Sequence, residues 1–440
     1  MEDFYDVLII GSGPAALFCA NDIVKNSKLR VAIMEKNSYS SGGLRNDGKL
    51  NLTHRIGMDL DELKISEQEA TKCIRYIDDL FVGFGADGEL FGTNKLSIER
   101  LVLRAERCGL ELIPCEQRHI GTDRAKEVID VFVNYLKSKG VSFLLNTYAT
   151  DIESGEFFTI YTYNGEFKSK FLFAAPGRKG NYWLRNQASK LGITYLSGPI
   201  DVGLRLELHE DIYRDITEQI YDPKLKFIRP NGDVVRTFCT NPKGSVVIEP
   251  VDKELDAGGN LRIINGHAYR DKKTDKTNFA ILITRDLKDP YEDTTDYAME
   301  LIRRVLKHGG GHPIVQRMGD FLGFHRSKID TFQKYALRPS LNLSMTWPAD
   351  IRVSYYAREI DGVSAMIDKL DQFIPGIKSP ENILYIPEVK LYATKYQTTK
   401  NLETSLNNFY VGGDGAGKSR GIVGAAISGI LAAQGILEKE

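Results

Sequence analysis

A glycine-rich segment at residues 11–16 lies between a predicted buried strand and a predicted helix, and few folds accommodate this arrangement. Residues 5–10 are mostly apolar and β-branched, as in a strand covered on both faces, and residues 14–25 have a helical pattern. The segment reads Gly11-Ser12-Gly13-Pro14-Ala15-Ala16. Gly11 permits a tight turn, Gly13 lets the backbone approach a pyrophosphate, and Ala16 allows close packing of helix on strand. We therefore predict a dinucleotide-binding βαβ unit.

An acidic residue follows the second strand of this unit. Residues 29–34 form a second predicted buried strand that ends at Glu35, 24 residues after Gly11. A carboxylate there can accept the hydroxyl hydrogens of an adenosine ribose, while free N–H groups at the start of the helix face the phosphates. Lys36 comes next and is counted among the predicted contacts. This unit alone leaves FAD and NAD open.

A second glycine-rich turn lies near the other end of the chain. Residues 412–417 follow a predicted strand at residues 406–411 and precede a predicted helix at residues 421–437. The Gly413-Asp414 pair resembles the late Gly-Asp turn of flavoproteins of the glutathione-reductase type. That resemblance implies that the Asp414 carboxylate binds the ribityl chain and that the helix from Gly421 and Ile422 points N–H groups at the flavin. The second turn favours FAD.

The same turn also matches a phosphate loop. Residues 412–419 read GGDGAGKS, which fits the GxxxxGK[ST] pattern of nucleotide triphosphatases. Only 21 residues follow Ser419, too few for the sheet and magnesium ligands that such a domain builds after its loop. We reject the ATPase interpretation. In it Lys418 would bind a triphosphate, whereas with FAD it would face solvent or the flavin edge.

Two further segments bear on the cofactor. Residues 174–178, Ala-Ala-Pro-Gly-Arg, follow a predicted strand and resemble the Ala-Thr-Gly segment after the meander of such flavoproteins, although a plain turn has the same pattern. Residues 83–88 match GxGxxG but follow a helical pattern, so we expect a loop there. No second Rossmann domain for a nicotinamide cofactor is predicted.

Composition narrows the class of protein. The chain has 440 residues with 42% hydrophobic and 27% charged residues, as in a globular protein of two or three domains. Its net charge of -1 gives no broad field for nucleic acid or anionic lipid. Five scattered cysteines and no secretory leader predict a cytoplasmic location. The uncharged residues 421–437 would rise ~25 Å, short of a bilayer core, so we expect a buried helix.

Several segments together resemble a family of poorly characterised FAD-dependent dehydrogenases of bacteria and archaea. They are residues 41–52, 237–239, 265–266, 387–388, 413–417 and 421–422. The resemblance spans nearly the whole chain and implies an oxidoreductase whose FAD domain is interrupted by a substrate domain. Asn241, Lys243 and Arg420 depart from the family pattern, and Asn241 stands where a second cysteine is expected after Cys239. A redox cysteine pair is therefore not predicted.

The expected fold class is α/β. We predict a Rossmann-like FAD-binding domain, three-layered with a parallel sheet and a β-meander, and an inserted α+β substrate domain. The FAD-binding domain is assigned to residues 1–58, 116–197 and 395–440, a mainly helical insertion to residues 59–115, and the substrate domain to residues 198–394.

The candidate site residues fall into two groups. The predicted FAD contacts are Gly11, Gly13, Pro14, Ala15, Ala16, Glu35, Lys36, Gly42, Gly43, Asp47, Lys49, Ala149, Ala175, Gly177, Gly413, Asp414, Gly421 and Ile422. The catalytic candidates are Lys49, His267 and Glu388, with His54, Lys390 and Lys395 as further polar candidates. For His267 a hydrogen-bonded structural histidine is the favoured interpretation over a catalytic one. His308 and His312 have no third ligand nearby, so no metal site is predicted.

The predicted reaction is hydride transfer between FAD and an unidentified small-molecule substrate, with an unidentified electron donor or acceptor. We expect no nucleic-acid partner and no membrane span. One alternative is an NAD(P)H-dependent flavin monooxygenase, although its Asp-Gly cofactor motif is not found in mid-chain. Another is a flavoprotein in which FAD has a structural or RNA-positioning role without redox turnover.

Overall fold

The computed structural model describes residues 4–40, 48–86, 88–251, 255–269, 271–286, 293–391 and 394–440. The predicted contacts Gly42, Gly43 and Asp47 lie outside these ranges. The chain divides into two compact units. The first comprises Met1–Glu89, Arg118–Gly198 and Thr394–Glu440, and the second comprises Leu90–Gln117 and Pro199–Ala393. Residues 59–89 thus group with the first unit and residues 90–115 with the second, and the domain boundaries given by the sequence stay predictions.

The first unit is built on a mixed sheet flanked by helices. The strands of the whole unit are β1 (Phe4–Ile10), β2 (Val31–Met34), β3 (Lys49–Asn51), β7 (Ser142–Leu144), β8 (Ala149–Ser154), β9 (Phe158–Thr162), β10 (Gly165–Ala174), β11 (Tyr195–Ser197), β21 (Thr394–Tyr396) and β22 (Phe409–Val411). Its helices are α1 (Pro14–Asn26), α2 (Leu60–Leu63), α3 (Glu67–Gly83), α5 (Thr122–Ser138), α6 (Asn181–Lys190) and α12 (Gly421–Leu437). The short β6 (Gln117–His119) lies at the boundary between the units.

The strand order of this sheet identifies the fold. β7, β2, β1, β10 and β22 are neighbours in that order and all pair in parallel. Numbered along the chain, these five strands have the order 3-2-1-4-5 of a doubly wound dinucleotide-binding sheet. β8 and β9 extend the sheet from β10 as an antiparallel meander. The predicted three-layer Rossmann-like fold with a parallel sheet and a β-meander is confirmed.

Both faces of this sheet are covered, which explains why its strands are continuously apolar. In β1, Val7 and Ile9 join one buried cluster with α1, α5 and α12, and Leu8 and Ile10 join another with α6. Since successive strand side chains point to opposite faces, a strand in the middle layer buries all of them. Hydrophobic packing therefore covers the sheet on both faces.

The C-terminal helix packs along α1. A side chain added at Gly429 would lie 2.0 Å from the Ala15 carbonyl oxygen, so only glycine permits this approach. Small residues throughout α12 serve the same close packing, and the expected buried helix at residues 421–437 is confirmed with the same bounds. Within the described ranges, every helix falls short of the length and apolar character needed to cross a bilayer.

The second unit is an α+β arrangement around an eight-stranded sheet. Its strands are β4 (Leu90–Phe91), β5 (Glu111–Ile113), β12 (Ile200–His209), β13 (Lys224–Ile228), β14 (Val234–Asn241), β15 (Ser245–Pro250), β16 (Arg262–His267), β17 (Lys276–Arg285), β18 (Ile314–Arg317), β19 (Trp347–Pro348) and β20 (Ile383–Lys390). Its helices are α4 (Lys95–Arg107), α7 (Glu210–Thr217), α8 (Thr294–His308), α9 (Met318–Leu322), α10 (Ile351–Ser354) and α11 (Ala357–Phe373).

The main sheet of the second unit has the order β19-β18-β20-β12-β17-β14-β13-β5, and β15 pairs with β16 as a separate antiparallel ribbon. All its neighbours are antiparallel except β18 and β19. α4, α8 and α11 cover an apolar face of the sheet. β12 lies near the centre, so side chains on its other face are also buried.

Candidate functional site

Three loops of the first unit leave the carboxyl ends of adjacent parallel strands. They follow β1, β10 and β22. Ala175 N donates to the Ile10 carbonyl at 2.9 Å, and Gly412 N donates to the Ala174 carbonyl at 3.1 Å. In doubly wound sheets, ligands bind at this edge, where the strand order reverses between the first and fourth strands. β1 and β10 are those two strands here.

The two glycine-rich turns from opposite ends of the chain lie side by side. Gly413 has a φ of +72°, and a Cβ added there would lie 3.4 Å from the Ala15 Cβ in the first turn of α1. Gly413 N donates to Ser428 Oγ at 2.8 Å, which ties the second turn to α12. The fold therefore brings the two turns together, as the dinucleotide hypothesis requires.

Gly11 and Gly13 have different local roles. Gly11 has a φ of +94°, and an added Cβ would lie 2.3 Å from the Ala175 carbonyl oxygen, so the backbone there allows no side chain. Gly13 is the N-cap of α1, has an ordinary φ of -75°, and an added Cβ would meet no atom of the described chain within 4 Å. Gly11 is needed by the protein itself, whereas Gly13 leaves open space beside the helix N-terminus.

Glu35 ends β2 and is nearly fully buried. Its Oε2 accepts a hydrogen bond from Ser12 Oγ at 2.6 Å, and its Oε1 accepts from Asn37 N at 2.9 Å and Asn37 Nδ2 at 2.6 Å. A carboxylate has about four acceptor positions. Described residues use three of these positions, and the contact of Glu35 with a ribose stays a prediction.

Asp414 lies in the second turn with its carboxylate largely buried. Its Oδ2 is 3.4 Å from Arg178 Nε, in the loop after β10. Its Oδ1 is buried and has no hydrogen-bond partner among the residues that the structure describes. Burial raises the pKa of Asp414, while the charges of Arg178 and Arg420 and the Gly421 N–H act to lower it. An unpaired buried acceptor is unfavourable, and a ligand hydroxyl would satisfy it.

Lys418 corrects one expectation. Its side chain is buried, neither facing solvent nor free for a triphosphate, and its Nζ contacts Glu62 Oε1 at 2.5 Å because α2 lies against the turn. Desolvation lowers the pKa of Lys418, and the Glu62 carboxylate opposes this. In a phosphate loop the lysine begins the helix, whereas α12 begins at Gly421, after Ser419. The loop geometry contradicts an ATPase.

The other predicted contacts have mixed environments. Lys36 is exposed, and Lys49 lies half-buried in β3. Ala149 is buried at the start of β8, and Gly177 has a φ of +69° beside Gly415. His54 Nε2 lies 4.0 Å from Glu67 Oε2. The structure gathers the first and second turns with Ala175 and Gly177, and the roles of all these residues stay predictions.

The second unit contains a buried polar cluster centred on Arg205. Arg205 and Glu388 are both fully buried and form a two-point ion pair, with Nε to Oε2 at 3.0 Å and Nη2 to Oε1 at 2.9 Å. Lys390 Nζ lies 2.7 Å from the same Glu388 Oε1. Burial raises the pKa of Glu388, but the charges of Arg205 and Lys390 lower it below its ordinary value. Glu388 is ionised and pairs two cations.

Three distant motifs singled out in the sequence meet in this cluster. The Cys239 carbonyl accepts from Arg205 Nη1 at 3.2 Å, and Asn265 Oδ1 accepts from Lys390 Nζ at 3.3 Å. At Gly266 an added Cβ would lie within 2.4 Å of polar atoms of Asn278, Arg205 and Asn241, so the site requires glycine. The motifs at 237–239, 265–266 and 387–388 thus form one polar network.

His267 lies at the edge of this cluster, with Nε2 3.4 Å from Glu249 Oε1. Burial alone would raise the pKa of Glu249. The hydrogen bond from His267, the charge of Lys390 and the hydrogen bond from Asn265 outweigh it and lower the pKa to about 2. This contact accounts for the position of His267 without a catalytic role, and its catalytic role stays a prediction.

The depressed pKa of Glu249 predicts a pH-dependent contribution to stability. The ionised carboxylate stabilises the fold at pH values above its unfolded pKa of about 4.3, and the contribution is lost as pH falls towards about 2. Since the side chain is one-third exposed, we expect less than about 1 kcal/mol. Urea midpoints of wild type and Glu249→Gln should differ at pH 6, and the difference should narrow progressively as the pH falls from about 4 to about 2. Exposed Glu218→Gln should show no such difference, and a gap that is as large near pH 2 as at pH 6 would contradict the assignment.

Arg205 was missed by the sequence analysis. In β12 the charged residues Asp201, Arg205 and Glu207 alternate with Val202, Leu204 and Leu206, a pattern typical of a strand with one face in water. The structure buries all three charged residues completely. β12 is paired on both sides, with β17 and β20, and the alternating pattern in the sequence gives no signal of this burial.

Comparisons with known proteins show limited similarity. No protein-family model matches the chain. A segment of 213 residues, 47% of this chain, is 27% identical to an uncharacterised protein of Clostridium beijerinckii. The match spans 38% of the length of that relative.

Several solved structures resemble the whole chain at low similarity. Glycine oxidase from Geobacillus kaustophilus has a TM-score of 0.46 and 13% identity, covering 100% of this chain and 96% of that one. L-proline dehydrogenase from P. horikoshii has a TM-score of 0.45 and 11% identity, with 100% and 95% covered. A flavoprotein/dehydrogenase from Cytophaga hutchinsonii has a TM-score of 0.41 and 12% identity, with 99% and 78% covered. The fold assignment therefore rests on the strand order of the first unit.

Proposed function

We propose that this protein is an FAD-dependent oxidoreductase whose first unit binds FAD at the loops after β1, β10 and β22. The observation that carries this proposal is the contact between the two glycine turns, with Gly413 against Ala15 at the point where the strand order reverses. One glycine turn is enough to bind one nucleotide half of a dinucleotide. Two adjacent turns at one edge fit a long dinucleotide held at both of its halves.

The residues present fit FAD at four points. The open space beside Gly13 admits a pyrophosphate next to the free N–H groups of α1. Glu35 retains one acceptor position for a ribose hydroxyl. The unsatisfied Asp414 Oδ1 can accept from the ribityl chain, and the N-terminus of α12 at Gly421 and Ile422 would face the flavin N1/O2 edge. Each point is a polar group or a space that the fold leaves available.

When bound, FAD would supply the hydride chemistry, and the chain supplies position and charge. The proposed substrate is a small molecule, and an electron donor or acceptor completes the cycle. Among the catalytic candidates, Lys49 and His267 are partly exposed and are proposed to contact substrate or to hold a proton. Glu388 is fully buried between Arg205 and Lys390, so it is proposed to act by holding Lys390 in place.

The visible absorbance spectrum of the purified protein tests this proposal. A flavin band that is released on denaturation supports FAD, and a colourless protein that binds no added FAD contradicts it. Anaerobic screening of small molecules for bleaching of the band then tests redox turnover. Bleaching by NADPH with oxygen-dependent product formation would favour the monooxygenase alternative, and a flavin that no donor reduces would favour a structural role.

Asp414→Ala is expected to weaken FAD binding about 10- to 100-fold, because it removes a buried acceptor that a ribityl hydroxyl would use. Fluorescence titration of deflavinated protein with FAD measures the dissociation constant. Asp79→Ala, an exposed carboxylate on α3 in the same unit, is the matched control and should bind FAD as wild type does. Equal affinity in the two variants would show that Asp414 makes no contact with the ribityl chain.

A further inference from the structure

The second unit carries a concentrated apolar and basic surface in residues 322–353. Six of the fifteen exposed large hydrophobic side chains in the described parts of the chain lie in this short segment. They are Leu322, Phe324, Ile329, Met345, Trp347 and Val353. We call residues 322–353 the apolar-basic surface. Scattered exposed apolar residues need no explanation, but a cluster of them marks an interaction site.

Contacts within the segment bring its distant parts together. Ile329 and Trp347 line a common shallow cavity with Pro348, the basic Arg326 and Lys328, and the acidic Asp330. Arg326 Nη2 donates to the Pro348 carbonyl at 3.4 Å. Loops at either end of the segment are also tied together, since Gln316 Nε2 donates to the His325 carbonyl at 2.8 Å and Gln316 Oε1 accepts from Ile351 N at 2.9 Å.

The position of Phe324 is unfavourable for a phenylalanine in two independent respects. Its side chain is 75% exposed, and its backbone has a φ of +58°, a conformation that disfavours bulky residues and suits glycine or asparagine. The Arg352 guanidinium lies 4.2 Å from the Phe324 ring centroid and 4.1 Å from that of Phe321, and so holds the exposed ring in place. Natural proteins depart from local structural preferences mainly at functional sites, so the exposure and the backbone conformation of Phe324 together indicate a function.

The net charge of the apolar-basic surface indicates what kind of partner it binds. The segment contains five basic residues, Arg326, Lys328, Lys334, Arg338 and Arg352, against two acidic ones, Asp330 and Asp350, which gives +3 in a chain whose total is -1. The overall charge conceals this local excess. Apolar cores of protein interfaces are depleted in lysine, whereas interfacial membrane sites combine exposed aromatic and aliphatic side chains with Lys and Arg. Tryptophan is enriched at the depth of lipid headgroups.

We propose that the apolar-basic surface docks the protein on an anionic lipid bilayer, with Phe324, Ile329 and Trp347 entering the headgroup region and the basic side chains facing lipid phosphates. This docking is peripheral and uses loops and short helices of the second unit. It is independent of the proposed flavin chemistry, so either proposal can fail without the other.

Vesicle binding of the full-length protein tests the proposal. The protein should float with vesicles that contain phosphatidylglycerol, bind vesicles of phosphatidylcholine alone several-fold more weakly, and lose affinity as salt rises. Trp347 is one of two tryptophans and is 48% exposed, while Trp183 is buried. Its emission should therefore shift to the blue on binding, and Trp347→Phe should abolish that shift.

Phe324→Asn separates docking from folding. Asparagine tolerates the positive φ, so the variant should melt at or above the wild-type temperature, yet vesicle affinity should fall about tenfold because the inserted ring is lost. Lys328→Glu should reduce binding to anionic vesicles about fivefold or more. Leu96→Asn replaces an equally exposed apolar side chain elsewhere in the second unit and should leave binding unchanged.

Three outcomes would overturn the proposal. Wild-type protein that floats with neither kind of vesicle excludes a lipid surface. Equal vesicle binding by wild type and Phe324→Asn places the contact elsewhere. Concentration-dependent self-association that Phe324→Asn abolishes, without lipid binding, assigns the surface to a second copy of the chain.

Discussion

The Gly13→Val protein is expected to fold normally and to purify without flavin. Gly13 has a φ of -75°, which valine adopts readily, and no described atom of the chain lies within 4 Å of an added Cβ. The space that the side chain would fill is where the proposed pyrophosphate approaches the N-terminus of α1. We expect the dissociation constant for FAD to rise at least about a hundredfold, which corresponds to about 2.7 kcal/mol.

The comparison must be made between proteins without cofactor, because bound FAD itself stabilises the folded state. Deflavinated wild type and Gly13→Val should have the same melting temperature, and only wild type should gain stability on addition of FAD. Gly11→Ala is the contrasting variant. Its Cβ would collide with the Ala175 carbonyl at a φ of +94°, so it should destabilise the cofactor-free protein by roughly 2–4 kcal/mol. A yellow Gly13→Val protein with wild-type affinity would place the cofactor elsewhere.

The sequence predicted the first unit well because its signals are local. The strand, turn and helix around Gly11 and Gly13 follow from apolar runs, glycine and Pro14, and the structure has them as β1 (Phe4–Ile10) and α1 (Pro14–Asn26). The bounds of α12 followed from an uncharged helical run. The strand order then brings the two turns together, since parallel neighbours present their carboxyl ends at one edge.

Contacts between distant strands could not be predicted in the same way. Lys418 was expected at solvent or at the flavin edge, and only the fold shows that Glu62 neutralises it. Arg205 and Glu388 are 183 positions apart and meet because β12 and β20 pair in antiparallel register. No local pattern encodes that register, which depends on packing over both strands. The sequence marked Glu388 and His267 as catalytic candidates but did not identify Arg205, the cation at the centre of the cluster.

Glu388→Gln is expected to destabilise the second unit by about 3–5 kcal/mol. Glu388 is fully buried and is the carboxylate that pairs with Arg205 at 2.9 and 3.0 Å and with Lys390 at 2.7 Å. Glutamine keeps the shape but removes the negative charge, and its amide N–H groups oppose the donors of Arg205. The buried Arg205 then lacks its carboxylate partner, and Lys390 is left, among the described residues, with the charge of Glu249 alone, which is far more costly than loss of the pair's own attraction. Urea unfolding followed by Trp347 fluorescence reports on this unit when Trp183, which lies in the first unit, is replaced by phenylalanine in all variants.

Two comparisons distinguish an uncompensated charge from a general loss of packing. Asp275→Asn removes an exposed partner of Lys276 in the same unit and should change stability by less than about 1 kcal/mol. Adding Arg205→Met to Glu388→Gln removes one orphaned cation and should recover part of the lost stability, because a buried ion pair replaced by apolar atoms is often tolerated. A double variant less stable than Glu388→Gln would mean that Arg205 stabilises the unit through its bonds to the Cys239 carbonyl and Asn278, independently of its ion pair.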